Sequence, residues 1–141
     1  MRRLCRSGII PLMETIDVTC AIIERGGMVL VARRGPKMHL AGLWEFPGGK
    51  IHANETPEAC VAREVCEELG IHIGPGRRLS QSVHEYPEKR VRLIPFICEY
   101  LEGEMAPVEH DECRWIWPDE LMTLEWCPAD ISVVEEYRAG L

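Results

Sequence analysis

Gly49-Lys50-Ile51-His52-Ala53-Asn54-Glu55-Thr56-Pro57-Glu58-Ala59-Cys60-Val61-Ala62-Arg63-Glu64-Val65-Cys66-Glu67-Glu68-Leu69-Gly70-Ile71 is the stretch that decides how this chain folds. Its middle carries the marks of a helix with both ends defined: Thr56 is a good N-cap, Pro57 suits the first helical position, and Gly70 supplies the usual stop. The spacing predicts a helix over Pro57 to Leu69. On a wheel of about 100° per residue, Glu64, Glu67 and Glu68 fall within roughly a third of the circumference, and Ala59, Ala62, Val65, Cys66 and Leu69 lie opposite. One face packs and the other presents carboxylates. The like-charge pairs Glu64–Glu67 and Glu64–Glu68 each cost roughly a few tenths of a kcal/mol, and only Arg63 offers local compensation. A solvated acidic face tolerates that cost. A site for a hard divalent cation such as Mg²⁺ uses it, because such ions take a few carboxylate oxygens together with waters and substrate phosphates. Glu55, just ahead of the cap, adds a fourth acid near the positive end of the helix.

Outward from this stretch the chain reads mainly as strands. Asp17-Val18-Thr19-Cys20-Ala21-Ile22-Ile23-Glu24 and Met28 to Arg33, separated by Gly26-Gly27, predict a hairpin. Leu43-Trp44-Glu45-Phe46 runs into Pro47-Gly48-Gly49, which is expected to stop any regular element. Two strands are expected over Arg78 to Tyr86 and Val91 to Leu101, then a short one around Cys113 to Trp117. Pro118 to Leu121 reads as a single helical turn, and Ile131, Val134 and Tyr137 recur at helical spacing over Ile131 to Arg138. Strands and helices mix without strict alternation, which points to an α+β layered sandwich rather than a doubly wound sheet.

The 141 residues suffice for one domain, assigned to residues 16–141, with residues 1–15 as an extension and Met13 as a candidate natural start. The apolar segment Ile9 to Leu12 is too short for a signal-peptide core. A net charge of −7 argues against stable binding to nucleic acid. An acidic protein that handles phosphates needs cations between itself and its substrate. The seven cysteines are scattered, with no C-x-x-C pair, and read as reduced thiols of a cytoplasmic protein. No stretch is long and apolar enough for a membrane span. Monomer and homodimer remain open.

Gly49, Glu55, Arg63-Glu64-Val65-Cys66-Glu67-Glu68-Leu69-Gly70-Ile71, at these spacings, match the Nudix box at every defining position. Val29 to Arg34, Gly42 to Lys50 and Trp126-Cys127-Pro128-Ala129-Asp130 resemble the MutT-type nucleotide pyrophosphohydrolases as well. The resemblance implies an α/β/α sandwich around a mixed sheet, with the box as a loop, helix, loop unit. It implies that Glu64, Glu67 and Glu68, with the backbone carbonyl of Gly48, hold Mg²⁺ or Mn²⁺, and that Arg63 orients the glutamates. A further acid from a later loop is expected, Glu109 being the best placed match and Glu112 the second. The implied reaction is attack of water on a nucleoside triphosphate at the β-phosphorus, releasing the monophosphate and pyrophosphate. Glu68 or a loop acid takes the proton.

Arg34 and Lys50 are candidate phosphate or base contacts, and Phe46, Trp44 and Tyr86 offer aromatic surface. MutT-type enzymes that prefer 8-oxoguanine nucleotides commonly carry Asn where this chain has Asp130. An ionised carboxylate only accepts hydrogen bonds, which suits a base with an exocyclic amine such as cytosine, unless the acid is protonated. Asp130 as a cap of the last helix is the plainer reading. Both 8-oxo-dGTP and a CTP or modified dCTP type of substrate therefore stand, under the theme of a damaged or non-standard nucleotide. Two alternatives are a Nudix hydrolase of another nucleoside diphosphate derivative and a non-catalytic nucleotide sensor. The full set Arg63, Glu64, Glu67 and Glu68 speaks against the sensor.

Overall fold

Everything in the sheet is arranged around β1, Thr15–Arg25, in a computed structural model that describes residues 14–141. Met13 and the rest of the expected extension up to that point lie outside the described residues, while Thr15, assigned to the extension, already belongs to β1. Gly26 and Gly27 both take positive φ, 58° and 81°, the hairpin geometry glycine permits without strain. They turn the chain into β2, Met28–Arg33, antiparallel to β1 through Glu24↔Val29 and Arg25↔Met28.

The Pro47-Gly48-Gly49 segment does not end regular structure as its composition suggested. Ala21 N–H donates to Pro47 C=O at 2.8 Å, and Gly48–Lys50, β4, pairs antiparallel with β1 through Cys20↔Gly48 and Val18↔Lys50. A Cβ on Gly48 would stand 2.0 Å from the Thr19 carbonyl oxygen, so only glycine lets the two backbones approach. Trp44–Glu45 forms β3, antiparallel to β2 through Ala32↔Glu45 and Arg33↔Trp44.

The second correction concerns the strand expected over Arg78 to Tyr86. Two shorter strands occupy the region: β5, His72–Arg78, and β6, Ser82–Glu85. Gly74-Pro75-Gly76 reads as a turn, yet β5 carries it against the next strand by shifting register between His72 and Ile73 and again between Pro75 and Arg78. That partner is β7, Arg90–Glu102, which runs parallel to β1 from Thr15↔Arg90 to Glu24↔Glu99. β8, Glu112–Ile116, completes the sheet against β2. The order β3-β2-β1-β7-β5, with β4, β6 and β8 attached to β1, β7 and β2, is mixed.

α1, Pro57–Leu69, and α2, Ile131–Ala139, cover opposite faces. Alternate residues of β1 and β2 show this directly: Ala21, Ile23 and Leu30 join Val61, Val65 and Leu69 of α1. Cys20, Ile22, Val29 and Val31 join Val133, Val134 and Tyr137 of α2. A strand buried on both faces reads as a continuous apolar run, which is how these two read. The layered α+β sandwich expected from the sequence is the observed fold. Among the described residues no helix is long and apolar enough to cross a membrane, and the described cysteines are free thiols.

Candidate active site

α1 begins and ends where its caps dictate. Thr56 Oγ1 accepts from Ala59 N–H at 3.1 Å, and Gly70, at φ 75°, sends its N–H to the Cys66 carbonyl. The packed stripe is Cys60, Val61, Val65 and Leu69; Ala59, expected on that face, is exposed because the helix turns Cys60 inward onto Thr19 and the Gly49 backbone.

Arg63 organises the acids. Its Nε and Nη2 donate to the two oxygens of Glu55 at 2.7 and 3.0 Å, and its Nη1 donates to Glu64 Oε2 at 3.1 Å and Glu67 Oε1 at 3.0 Å. Nη2 also reaches the Lys50 carbonyl at 3.1 Å, which ties the helix to β4. Such a fan of contacts requires the planar fork of a guanidinium. The Arg63 hydrogen bonds, helped by the His52 N–H, pull the Glu55 carboxyl down to about 2, so Glu55 is permanently ionised and serves Arg63. Gly49 matters here too: a Cβ would stand 2.3 Å from the Glu64 carboxyl carbon.

Glu68 lies deeper. Its Oε1 accepts from Gly48 N–H at 3.3 Å, and burial pushes its pKa up to about 7, with Glu45 and Glu64 adding repulsion against the opposing pull of His110. Among the described residues no three acidic, His or Cys side chains converge on a common point at ligand distance. The donors nevertheless fit a hard divalent cation. They are all oxygens, the carboxylates come from one helix, and one of them is the half-buried Glu68, whose charge calls for a nearby positive group.

Glu109 is exposed and makes no polar side-chain contact among the described residues. Glu112 is committed elsewhere, to Arg33 at 3.4 Å and Arg114 at 2.7 Å. Among the described residues neither joins the glutamates of α1 in a cluster that could hold a metal ion.

Beside the acidic face opens a cleft of about 300 Å³, bordered by Arg34, Glu45, Lys50, Glu68, Tyr86 and Asp130. Trp44 N–H donates to Glu125 C=O and Cys127 N–H to Trp44 C=O, and this pairing carries Asp130 to the end of β3. There Asp130 Oδ2 accepts from Phe46 N–H at 2.9 Å. Its side chain is buried and makes no cap hydrogen bond to α2, so the plainer reading of Asp130 as a helix cap fails. Burial, reinforced by the charge of Glu45, raises the Asp130 pKa to about 8 against the pull of the Phe46 N–H and Arg34. The acid is mostly neutral at pH 7.

Of the aromatic candidates, Trp44 and Phe46 belong to the core, Phe46 packing on Trp126 at 4.9 Å between centroids, so the Phe46 ring forms wall rather than platform. Tyr86 is half-buried at the mouth, in edge contact with His84 and His39. Lys50 is exposed at the end of β4. Arg34 donates to Glu45 Oε1 at 2.7 Å and to the His39 carbonyl, so its charge is already shared.

Two residues at this site escaped the sequence reading. Glu45 places both carboxylate oxygens in hydrogen bonds, the second to His110 Nε2 at 2.6 Å. An acid between Trp44 and Phe46 was the one visible sign of it. His110 gave none, sitting in an acidic loop of no fixed spacing. Burial opposes a charge on His110, but the hydrogen bond and charge of Glu45, with Glu68, overcome this and hold its pKa above the ordinary value.

The chain matches the family model described as NUDIX domain over residues 13–137. A CTP pyrophosphohydrolase of Escherichia coli (strain K12) is 35% identical over 127 residues, 90% of this chain and 94% of that protein. An 8-oxo-dGTP diphosphatase of Proteus vulgaris is 37% identical over 93 residues, 66% of this chain and 82% of that protein. The crystal structure of the MutT protein from Methanosarcina mazei Go1 superposes with a TM-score of 0.80 at 32% identity, covering 91% of this chain and 95% of the other.

Proposed function

We infer the reaction from one premise: this chain belongs to the Nudix hydrolase family. It is a MutT-like nucleoside triphosphate pyrophosphohydrolase. The observation that carries the site assignment is Arg63, which holds Glu64 and Glu67 on the open face of α1 beside the cleft of about 300 Å³.

Glu64, Glu67 and Glu68 would hold the divalent cation, for which we propose Mg²⁺, with Mn²⁺ as its substitute, and Gly48 would add its carbonyl. When bound, the cation neutralises charge on the phosphate oxygens and lowers the pKa of water. Arg63 keeps the carboxylates of Glu64 and Glu67 aimed, and Glu55 keeps Arg63 aimed. Lys50, exposed at the cleft edge, contacts the phosphate chain. The proton of the attacking water goes to Glu68 or to a loop acid, for which Glu109 is the candidate.

Base choice we assign to Asp130, with Tyr86 and Arg34 at the cleft mouth. A neutral carboxyl both donates and accepts, as an amide does; an ionised one only accepts. Asp130 therefore suits 8-oxo-dGTP below its pKa and a cytidine-type triphosphate above it. The E. coli relative's name supports the second member of that pair, and the P. vulgaris relative's name the first.

The test is a panel of 8-oxo-dGTP, dGTP, CTP and 5-methyl-dCTP with Mg²⁺ at pH 7 and pH 9, with products separated. We expect monophosphate and pyrophosphate throughout, and a preference that moves from 8-oxo-dGTP toward the cytidine nucleotides as pH rises. In Asp130→Asn the preference should not move. Release of orthophosphate and a diphosphate would refute the site of attack. A preference unaffected by pH and by Asp130→Asn would refute the role of Asp130.

A further inference from the structure

The acidic segment between β7 and β8 is fastened at both ends. Ala106 N–H donates to Leu69 C=O at 2.8 Å and Val108 N–H to Glu68 C=O at 3.0 Å, which anchors its first part to the end of α1. Asp111 N–H donates to Arg33 C=O at 3.1 Å, at the end of β2. Gly35 lies so close that a Cβ there would stand 2.1 Å from the Glu109 carbonyl oxygen. The segment is thus a strap running from the acidic helix to the edge of the cleft.

His110 is the residue the strap turns inward. Its side chain is 1% exposed, and its Nε2 lies 2.6 Å from Glu45 Oε2. Arg34 occupies the other oxygen of Glu45. Together they remove the freedom of the one carboxylate that β3 sets in the cleft wall. The second ring nitrogen, Nδ1, is buried with no hydrogen-bond partner among the described residues. Burying a polar atom without a partner is costly, and an aliphatic side chain would fill the same space without that cost. Stability alone does not account for an imidazole here; its contact with Glu45 does.

We propose that His110 is a positioning residue for base selection, fixing the Glu45 carboxylate in the wall of the nucleotide cleft and linking that wall through the strap to α1. This rests on the reading of the cleft as the nucleotide site. His110 touches no reacting atom, so its effect on which nucleotide is accepted falls through KM, while its charge beside Glu68 acts on both nucleotides alike.

The experiment compares wild type, His110→Ala and His110→Gln, measuring kcat and KM for 8-oxo-dGTP and CTP with Mg²⁺. Calorimetric binding of 8-oxo-dGMP and CMP in EDTA supplies a readout without metal or turnover. In His110→Ala the ratio of kcat/KM between the two triphosphates should fall about tenfold through KM, with any change in kcat the same for both. The monophosphate preference should shrink in parallel. His110→Gln keeps an N–H for Glu45 and should recover most of both preferences. An unchanged ratio, a loss confined to kcat, or a Gln variant no better than Ala would overturn the proposal. If His110→Ala does not fold, His110→Asn, too short to reach Glu45, replaces it with the same two outcomes. A wild type that cleaves neither triphosphate would sink the functional reading instead, and the monophosphate preference would then decide His110 alone.

Discussion

The acidic face of α1 and the wall of the nucleotide cleft use the same side chains for opposite ends. Glu55, just ahead of α1, and Glu64 and Glu67 on it come from one short stretch and share one guanidinium, and Glu55 is held well below the usual carboxylate range. In the cleft, Glu45, His110 and Asp130 come from three distant segments, and Asp130 is held far above that range. Acids close together in sequence are held in place by one shared guanidinium, and Glu55 stays charged beside it. Asp130, gathered by the fold into the interior, is driven toward neutrality, and so gains the ability to donate a hydrogen bond.

The largest effect should come from removing the fork that defines the first region. Arg63→Lys keeps the charge but cannot serve Glu55, Glu64, Glu67 and the Lys50 carbonyl together, and pyrophosphate release should fall by roughly 10- to 100-fold. Steady-state rates at saturating Mg²⁺ check this; a loss under twofold would mean the acids are positioned without Arg63. Gly49→Ala attacks the same region sterically, by pushing the Glu64 carboxyl away. A loss of about tenfold is expected, with far-UV circular dichroism unchanged.

How legible each region was in the sequence follows from the same contrast. Thr56, Pro57 and Gly70 bracket α1 by rules that act within a few residues, so the helix and its acids were readable to the residue. Asp130 stood out only as a position differing from related enzymes, and its protonation depends on burial and on Glu45, far away in the chain. β5 was hidden because Gly74-Pro75-Gly76 carries a turn signature that tertiary pairing with β7 overrides. β4 was hidden for a similar reason: its glycines matter for how closely they let β1 approach, which no local pattern states.

The cleft is broken by charge rather than by shape. Because the folded pKa of Asp130 is raised above its unfolded value, the native state binds the extra proton. The associated stability is full below the unfolded pKa near 4 and is lost as pH rises through about 8. Asp130→Asn has no such proton to lose. Denaturant unfolding should therefore find the variant more stable than wild type at pH 9, by on the order of 1 kcal/mol, and the difference should shrink or reverse at pH 5. Identical pH profiles would place the Asp130 carboxyl in a wetter setting than its hydrogen bond to Phe46 indicates. The smallest effect expected is Thr56→Ala, about 1 kcal/mol of stability from the lost cap with kcat unchanged, because the cap lies at the end of α1 away from Glu67.

The central claim is that the carboxylates beside Arg63 on α1 form the catalytic metal face, and Glu67→Gln tests it most directly. The variant is nearly isosteric at an exposed position and can still meet Arg63 through its amide oxygen. Pyrophosphate release from a nucleoside triphosphate, titrated with Mg²⁺ for both proteins, should show the variant slower by at least about tenfold and needing more Mg²⁺ to reach half its maximal rate. Equal rates with the same Mg²⁺ dependence would contradict the account.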